Sequence, residues 1–478
     1  MNQLDLAFVP ALEQAQLIRK GDVSPLELVE LYLERIQRLD PQFNSYVTVA
    51  AEQALAEAAV KTEQLTKTAD VTQLPPFFGV PIPIKDLNAV AGLPCGYGSP
   101  ALKDQIASYD DGVVTRIKQA GFTILGKTAT SELGALPYIE PEDAQPTRNP
   151  WNLDRTAGGS SGGAAAALAA GLCPIAQGSD GGGSIRGPAF CCGLIGLKPS
   201  RGRISQAPAG DNFNGMATSG PLTRTVADAA ALLDAMSGYL PGDLSWLPDP
   251  DPSFLTVARQ ATMAAGSPAR QPLKIAFATA IPDISEAEPV CEQAVLQMAQ
   301  LLAEMGHQVE PGCPNFAGLD EPFIQVWQTA VAASGIPAAA LDSMNRWLLS
   351  RTCSAGEYVR ATAALQVAAR QIVAFFQQVD VLVLPTYMAP PIPVGKWASC
   401  SPEETLRRMI EWIAPCPPFN VSGQPAIAIP TGFTEAGLPI GVQLIGRPAA
   451  EATLIKLAAQ IEATQSWTAL RPPLAISG

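Results

Sequence analysis

A chain of 478 residues, 47% hydrophobic and 16% charged, can bury a large core as one big α/β domain or as two to three smaller ones, and it is not a disordered polymer. Its net charge of -13 and pI near 4.7, with no long basic run, disfavour nucleic acid as a partner. Nine cysteines without a CxxC pair or a nearby histidine cluster argue against a disulfide framework and a zinc site, and the absence of a signal-like leader or a long apolar window predicts a soluble, cytoplasmic protein that enters no membrane.

In chain order, SPLELVELYLERIQRLD opens with Ser24 as N-cap, Pro25 at the first helical position and Glu27 closing a capping box, which predicts an amphipathic helix. FFGVPIPIKDL, residues 77 to 87, predicts a short strand ending near Lys85, whose two prolines require a strand start or a bulge. DGVVTRIKQAGFTILGKT then reads as helix, stop at Gly121, strand and turn, the grammar of a βαβ unit. AAAALAAGL, residues 164 to 172, is apolar on every side and predicts a buried helix that Gly162 and Gly163 begin.

Further on, LPGDLSWLPDPDPSF (240–254) and AAGSPARQP (264–272) are rich in Pro, Asp and Gly and interrupt the alternation. It resumes with the strand-like LKIAFATAI and a helix ending at EMGHQVE. DVLVLPT, QPAIAIPTG and PIGVQLIG are short apolar runs that predict further buried strands. The expected organisation is one domain over 1–478: N-terminal helices to 75, a catalytic core at 76–240, an excursion at 240–272 and a C-terminal α/β part from 273.

The chemistry concentrates in GGSSGG and GSDGGGSIRGP. Ser160 and Ser161, taken alone, most simply cap a helix. The second segment differs, because Gly181, Gly182 and Gly183 precede Ser184 and can aim backbone N–H groups into one concavity with no Cβ in the way, as an oxyanion hole beside a nucleophile requires. A tight turn or a phosphate loop is the alternative; GxxxxGK[ST] is absent and Asp180 precedes the glycines, which disfavours the latter. The one histidine, His307, follows a helix stop in a place typical of a surface turn, and no G-x-S-x-G elbow surrounds Ser184. Lysine is the remaining candidate for a base, with Lys85 at the end of an apolar strand and Lys127 as its rival, although a lysine in general more often keeps a solvated tip on an apolar stem.

GGSSGG with its Ala-rich helix, GSDGGGSIRGPAFCCGLIGLKPSRGRIS, and the upstream GVPIPIKDL together resemble the signature and lysine motifs of the amidase signature family. TRNPWN, DVLVLPT and FNVSGQPAIAIPTG with GLPIGVQLIG are similar to its other shared segments, so the resemblance covers most of the chain; it leans toward bacterial amidases of the 6-aminohexanoate cyclic-dimer hydrolase type. The resemblance implies a single α/β domain with a mixed sheet between helices. It implies Ser184 as nucleophile, Ser160 as a relay across a cis peptide bond, and Lys85 as base, with Ser161, Asp180 and Arg186 in support, no cofactor or metal, and a small amide as partner. Two departures stand out: Gly181 where the family often has threonine, and Ala129 where it often has asparagine. A glutamine-hydrolysing subunit of a transamidation complex, or a binding protein on the same fold, are the competing readings; an ARYDG-like segment is missing from 325–365. Pocket walls are expected from Glu132–Arg148 and Trp327–Trp347.

Overall fold

The computed structural model describes residues 3–210, 213–266, 271–465 and 467–476. The capping box forms as the sequence dictates: Ser24 Oγ accepts from Glu27 N, the Glu27 carboxylate accepts from Ser24 N, and the helix runs Pro25–Phe43. Its apolar stripe of Leu28, Tyr32, Ile36 and Leu39 faces the main core.

The lysine segment belongs to a small sheet of β1 (Tyr46–Val49), β2 (Pro81–Lys85) and β3 (Thr123–Thr128), in the order β1-β3-β2. β2 and β3 are parallel with the helix Gly112–Gln119 between them in sequence, the expected strand–helix–strand unit. The prolines sit where a ladder tolerates them. β2 is an edge strand, Pro81 opens it, and the pairing is irregular between Ile82 and Pro83.

Among the described residues the main sheet has eight strands: β4 (Ala176–Asp180), β5 (Ile195–Lys198), β6 (Thr218–Thr223), β7 (Lys274–Phe277), β8 (Gln308–Pro311), β9 (Val381–Pro385), β10 (Ala426–Phe433) and β11 (Pro439–Gly446). Their order is β8-β7-β9-β11-β10-β5-β6-β4; β7 runs parallel to β8 and β9, and the other neighbours are antiparallel. Strand β9 shows why the C-terminal runs are apolar without alternation. Val381 and Val383 enter one core cluster while Leu382 and Leu384 enter the other, on the opposite face. The helix Pro289–Glu304 covers the first face with Val295 and Met298, and the helix Ala355–Phe375 covers the second with Leu365 and Ile372.

The all-apolar run forms the helix Gly162–Ala169, every residue of it buried. Its start presses so closely on the end of β3 that a Cβ on Gly163 would lie 2.4 Å from Ala129 N, so a glycine is needed there. The excursion is less separate than its composition suggests. Between its two Pro-rich segments lies the helix Phe254–Met263, whose Phe254, Ala258 and Ala261 pack into the main core; residues 267–270 of the second segment lie outside the described residues. The result is a single α/β domain with a large mixed sheet flanked by helices.

Candidate active site

Three chain segments converge beside the C-terminal ends of β2 and β4. Lys85, the last residue of β2, is completely buried, and its Nζ lies 2.8 Å from Ser160 Oγ. The same Nζ donates to Ser179 Oγ at 3.1 Å and to Ser179 O at 3.3 Å. No carboxylate pairs with it among the described residues. Burial therefore pushes its ammonium down to about 7, a shift only partly opposed by the charge of Asp180.

Ser160 follows a cis peptide bond from Gly159, just before the buried helix. Neither serine of GGSSGG caps that helix by its side chain, although Ser161 occupies the N-cap position. Ser161 Oγ instead donates to Ser179 O at 3.1 Å and accepts from Ser179 N at 3.3 Å, and Ser161 N donates to Ser184 O at 3.2 Å. Ser161 thus ties both serine loops and the end of β4 into one body.

Asp180 ends β4 and organises the glycine loop. Its carboxylate accepts from Gly183 N at 2.7 Å, from Ile185 N at 3.1 Å and from the Arg186 guanidinium at 3.0 Å. Burial alone would raise this carboxyl, but the Arg186 charge beside it, with help from Lys198 and Asn420, holds it well below the usual carboxylate range. Of the three glycines expected as oxyanion donors, Gly183 has its N–H bonded to Asp180. The N–H groups of Gly181 and Gly182 have no acceptor among the described residues. Gly183 has φ +119, and a Cβ there would fall 2.7 Å from Cys416 Cβ, so the loop requires glycine at that point.

Ser184 sits where two cavities meet. A chamber of about 450 Å³ is lined by Ser160, Ser179, Gly181 and Ser184 together with Asn88, Asp111 and Phe213. A tight slot of about 40 Å³ also reaches Ser184 and is walled by Gly182, Phe323, Trp327, Leu406, Met409 and Ile413. The expected walls are only part of this. Leu133 to Pro137 and, from the second stretch, Trp327, Ala330, Val331, Ala333 and Ser334 line the two cavities, but the helix Pro402–Ile413 and Ser205, Gln206, Phe213 and Thr218 were not anticipated.

The rivals fall elsewhere. Lys127 is as buried as Lys85 but is paired to Asp86 at 2.8 Å. His307 lines neither cavity; its Nδ1 accepts from Leu273 N at 3.2 Å, and burial lowers the pKa of its ring. Of the two departures, Gly181 lines the wide chamber, whereas Ala129 is packed against the start of the buried helix and lines neither cavity. Sequence reasoning missed Ser179, although it stands in the quoted GSDGGGS, and also Asn420, whose Nδ2 donates to Asp180 Oδ1 at 2.9 Å and whose Oδ1 accepts from Arg186 at 2.6 Å. Asn420 lies within the FNVSGQP segment. Only its place in a shared motif pointed to it.

A large mixed sheet with a buried lysine set against a serine–glycine cleft defines the class of the amidase signature enzymes. The family model described as Amidase matches residues 27–455, and the chain belongs to that family of amide-hydrolysing enzymes. It is 51% identical over 458 residues to a Synechocystis sp. protein named "Putative amidase", covering 96% of this chain and 89% of that one. It is 34% identical to a 6-aminohexanoate-cyclic-dimer hydrolase of Paenarthrobacter ureafaciens, over 99% of this chain and 98% of the other. A solved structure of 6-aminohexanoate cyclic dimer hydrolase superposes with a TM-score of 0.89 at 32% identity, covering 98% of this chain and 99% of that one. Among the described residues no helix is long and apolar enough to cross a membrane.

Proposed function

We propose that this amidase cleaves its substrate through an acyl-enzyme on Ser184, with Ser160 and Lys85 carrying the proton. The observation that supports this most is the Lys85–Ser160 contact of 2.8 Å around a buried amine with no carboxylate partner among the described residues. A neutral amine has two N–H groups and one lone pair. Ser179 offers two acceptors for the N–H groups, its Oγ and its carbonyl, which leaves the lone pair for the hydroxyl proton of Ser160.

Ser160 takes the proton of Ser184 as it yields its own to Lys85, and the Ser184 oxygen attacks the amide carbon. The N–H groups of Gly181 and Gly182 receive the charge that develops on the carbonyl oxygen. Asp180, by holding Gly183 N, fixes the loop that presents them. The proton returns through Ser160 to the leaving nitrogen, the C–N bond breaks, and water repeats the path in reverse to release the acid.

A glutamine-hydrolysing subunit would use the same residues. It is disfavoured by the cavities, because no lysine or arginine is among their described lining residues to hold the α-carboxylate of glutamine. A binding protein is disfavoured because the chain is an amide-hydrolysing enzyme by family. The test is to purify the chain alone, screen short amides including glutamine, and compare Ser184→Ala. Burst release of amine by the wild type and none by the variant is expected; a variant with wild-type turnover would refute the nucleophile.

A further inference from the structure

The two cavities differ in kind as well as in size. The slot is walled by hydrocarbon and aromatic side chains from the helices Asp320–Ala333 and Pro402–Ile413, and none of its described lining residues is charged. The wide chamber carries Asn88, Ser205, Gln206 and Ser219, and Asp111 is the one charged side chain among its described lining residues. Asp111 is held in place. Its Oδ2 accepts from Asn88 Nδ2 at 2.9 Å and from Ala89 N at 3.0 Å, while its Oδ1 has no partner among the described residues.

Ser160 lines the chamber and not the slot. Whatever nitrogen Ser160 protonates must lie on its own side of Ser184, so the amine half of the substrate occupies the chamber and the acyl half is left with the slot. The glycine donors straddle the boundary in the same sense, Gly181 lining the chamber and Gly182 the slot. We infer that this enzyme takes amides of a slim, uncharged, apolar acid joined to a larger polar amine, and that Asp111 selects amines bearing a second positive charge over amines bearing a carboxylate. The inference rests on the serine relay proposed above. A carboxylate on the amine would meet Asp111 in a chamber whose described lining residues include no lysine or arginine, and an ammonium on the acyl chain would be stripped of water in the slot with nothing to replace it.

Four substrates test both halves on the wild-type enzyme: N-hexanoyl-1,4-diaminobutane, N-hexanoyl-4-aminobutanoate, N-acetyl-1,4-diaminobutane and N-(6-aminohexanoyl)-1,4-diaminobutane. The first is expected to exceed the second and the fourth at least tenfold in kcat/KM. Asp111→Asn should shrink the first preference at least tenfold. Leu406→Trp, a change on a half-buried wall of the slot, should cut the hexanoyl-to-acetyl ratio at least tenfold without altering the choice between diamine and aminobutanoate. A preference for the aminobutanoate, a ratio unmoved by Asp111→Asn, or a Leu406→Trp effect that tracks the amine instead of the acyl chain would each overturn the inference. If any of these appears while Ser184→Ala abolishes turnover, the relay stands and the orientation falls. Turnover surviving in Ser184→Ala would remove the relay and this inference with it.

Discussion

Lys85 ends β2 and Lys127 stands one residue before the end of the neighbouring parallel strand β3; they share the same burial and carry the same amine, yet they are set in different surroundings. Lys127 faces a carboxylate: Asp86 Oδ1 accepts from its Nζ at 2.8 Å, and the pair stitches the strand ends together. Lys85 faces two hydroxyls and a carbonyl. Burial without a counter-ion is what brings an amine toward neutrality, because desolvation then acts on the ammonium with little to oppose it. A third lysine sharpens the lesson. Lys198 is also buried and also pushed down to about 7, by burial and by the nearby Arg186, but its Nζ donates to Pro199 O and it lines neither cavity. A low pKa alone does not nominate a base; a hydrogen bond leading to the cleft is needed as well.

The comparison breaks most sharply at the relay itself. Lys85→Ala and Ser184→Ala are each expected to lower kcat/KM by about 10^4-fold or more in folded protein, and Ser160→Ala to leave a trace through a bridging water. Steady-state kinetics beside circular dichroism checks this; equal, full activity in any of the three would break the assignment. Lys127→Ala should do the opposite kind of damage. It leaves the Asp86 carboxylate buried and unpaired, so chemical denaturation should show a loss of about 3–5 kcal/mol, while the acid limb of the pH profile stays in place.

Gly182→Val would set a Cβ 3.3 Å from Trp327 in the slot and crowd the N–H beside it, and should cost about 3 kcal/mol of transition-state stabilisation. Gly181→Thr is the milder partner, since a Cβ there meets Phe213 at an ordinary 3.4 Å; the folded variant should keep its activity. Smallest of all is His307→Gln, which should leave both the rate and the pH profile close to wild type.

Much of this was legible in the sequence where the signal is local. The capping box at Ser24, the βαβ unit around Lys85 and the buried Ala-rich helix are set by adjacent residues, and all three form as expected. The two glycine–serine segments are equally local. What could not be read was which lysine had a partner. Asp86 is the residue after Lys85, yet successive residues of an extended chain point to opposite sides, so Asp86 reaches Lys127 across the sheet and leaves Lys85 unpaired. The commitment of Gly183 N to Asp180 depends on the shape of one turn, and Asn420 reaches Asp180 from a segment 240 residues away. The slot is built from the helix Pro402–Ile413, whose periodicity shows a buried face but not what it faces.

The most direct test of the central claim is the titration of the Lys85 amine itself, followed by NMR in enzyme carrying labelled lysine, with Lys85→Arg to assign the signal. The proposed relay predicts a midpoint of about 7, coincident with the rise of kcat/KM toward alkaline pH, because the amine must be neutral to accept the proton of Ser160. A Lys85 amine that stays protonated to about pH 10, as an ordinary lysine does, while kcat/KM still rises near neutrality, would contradict it.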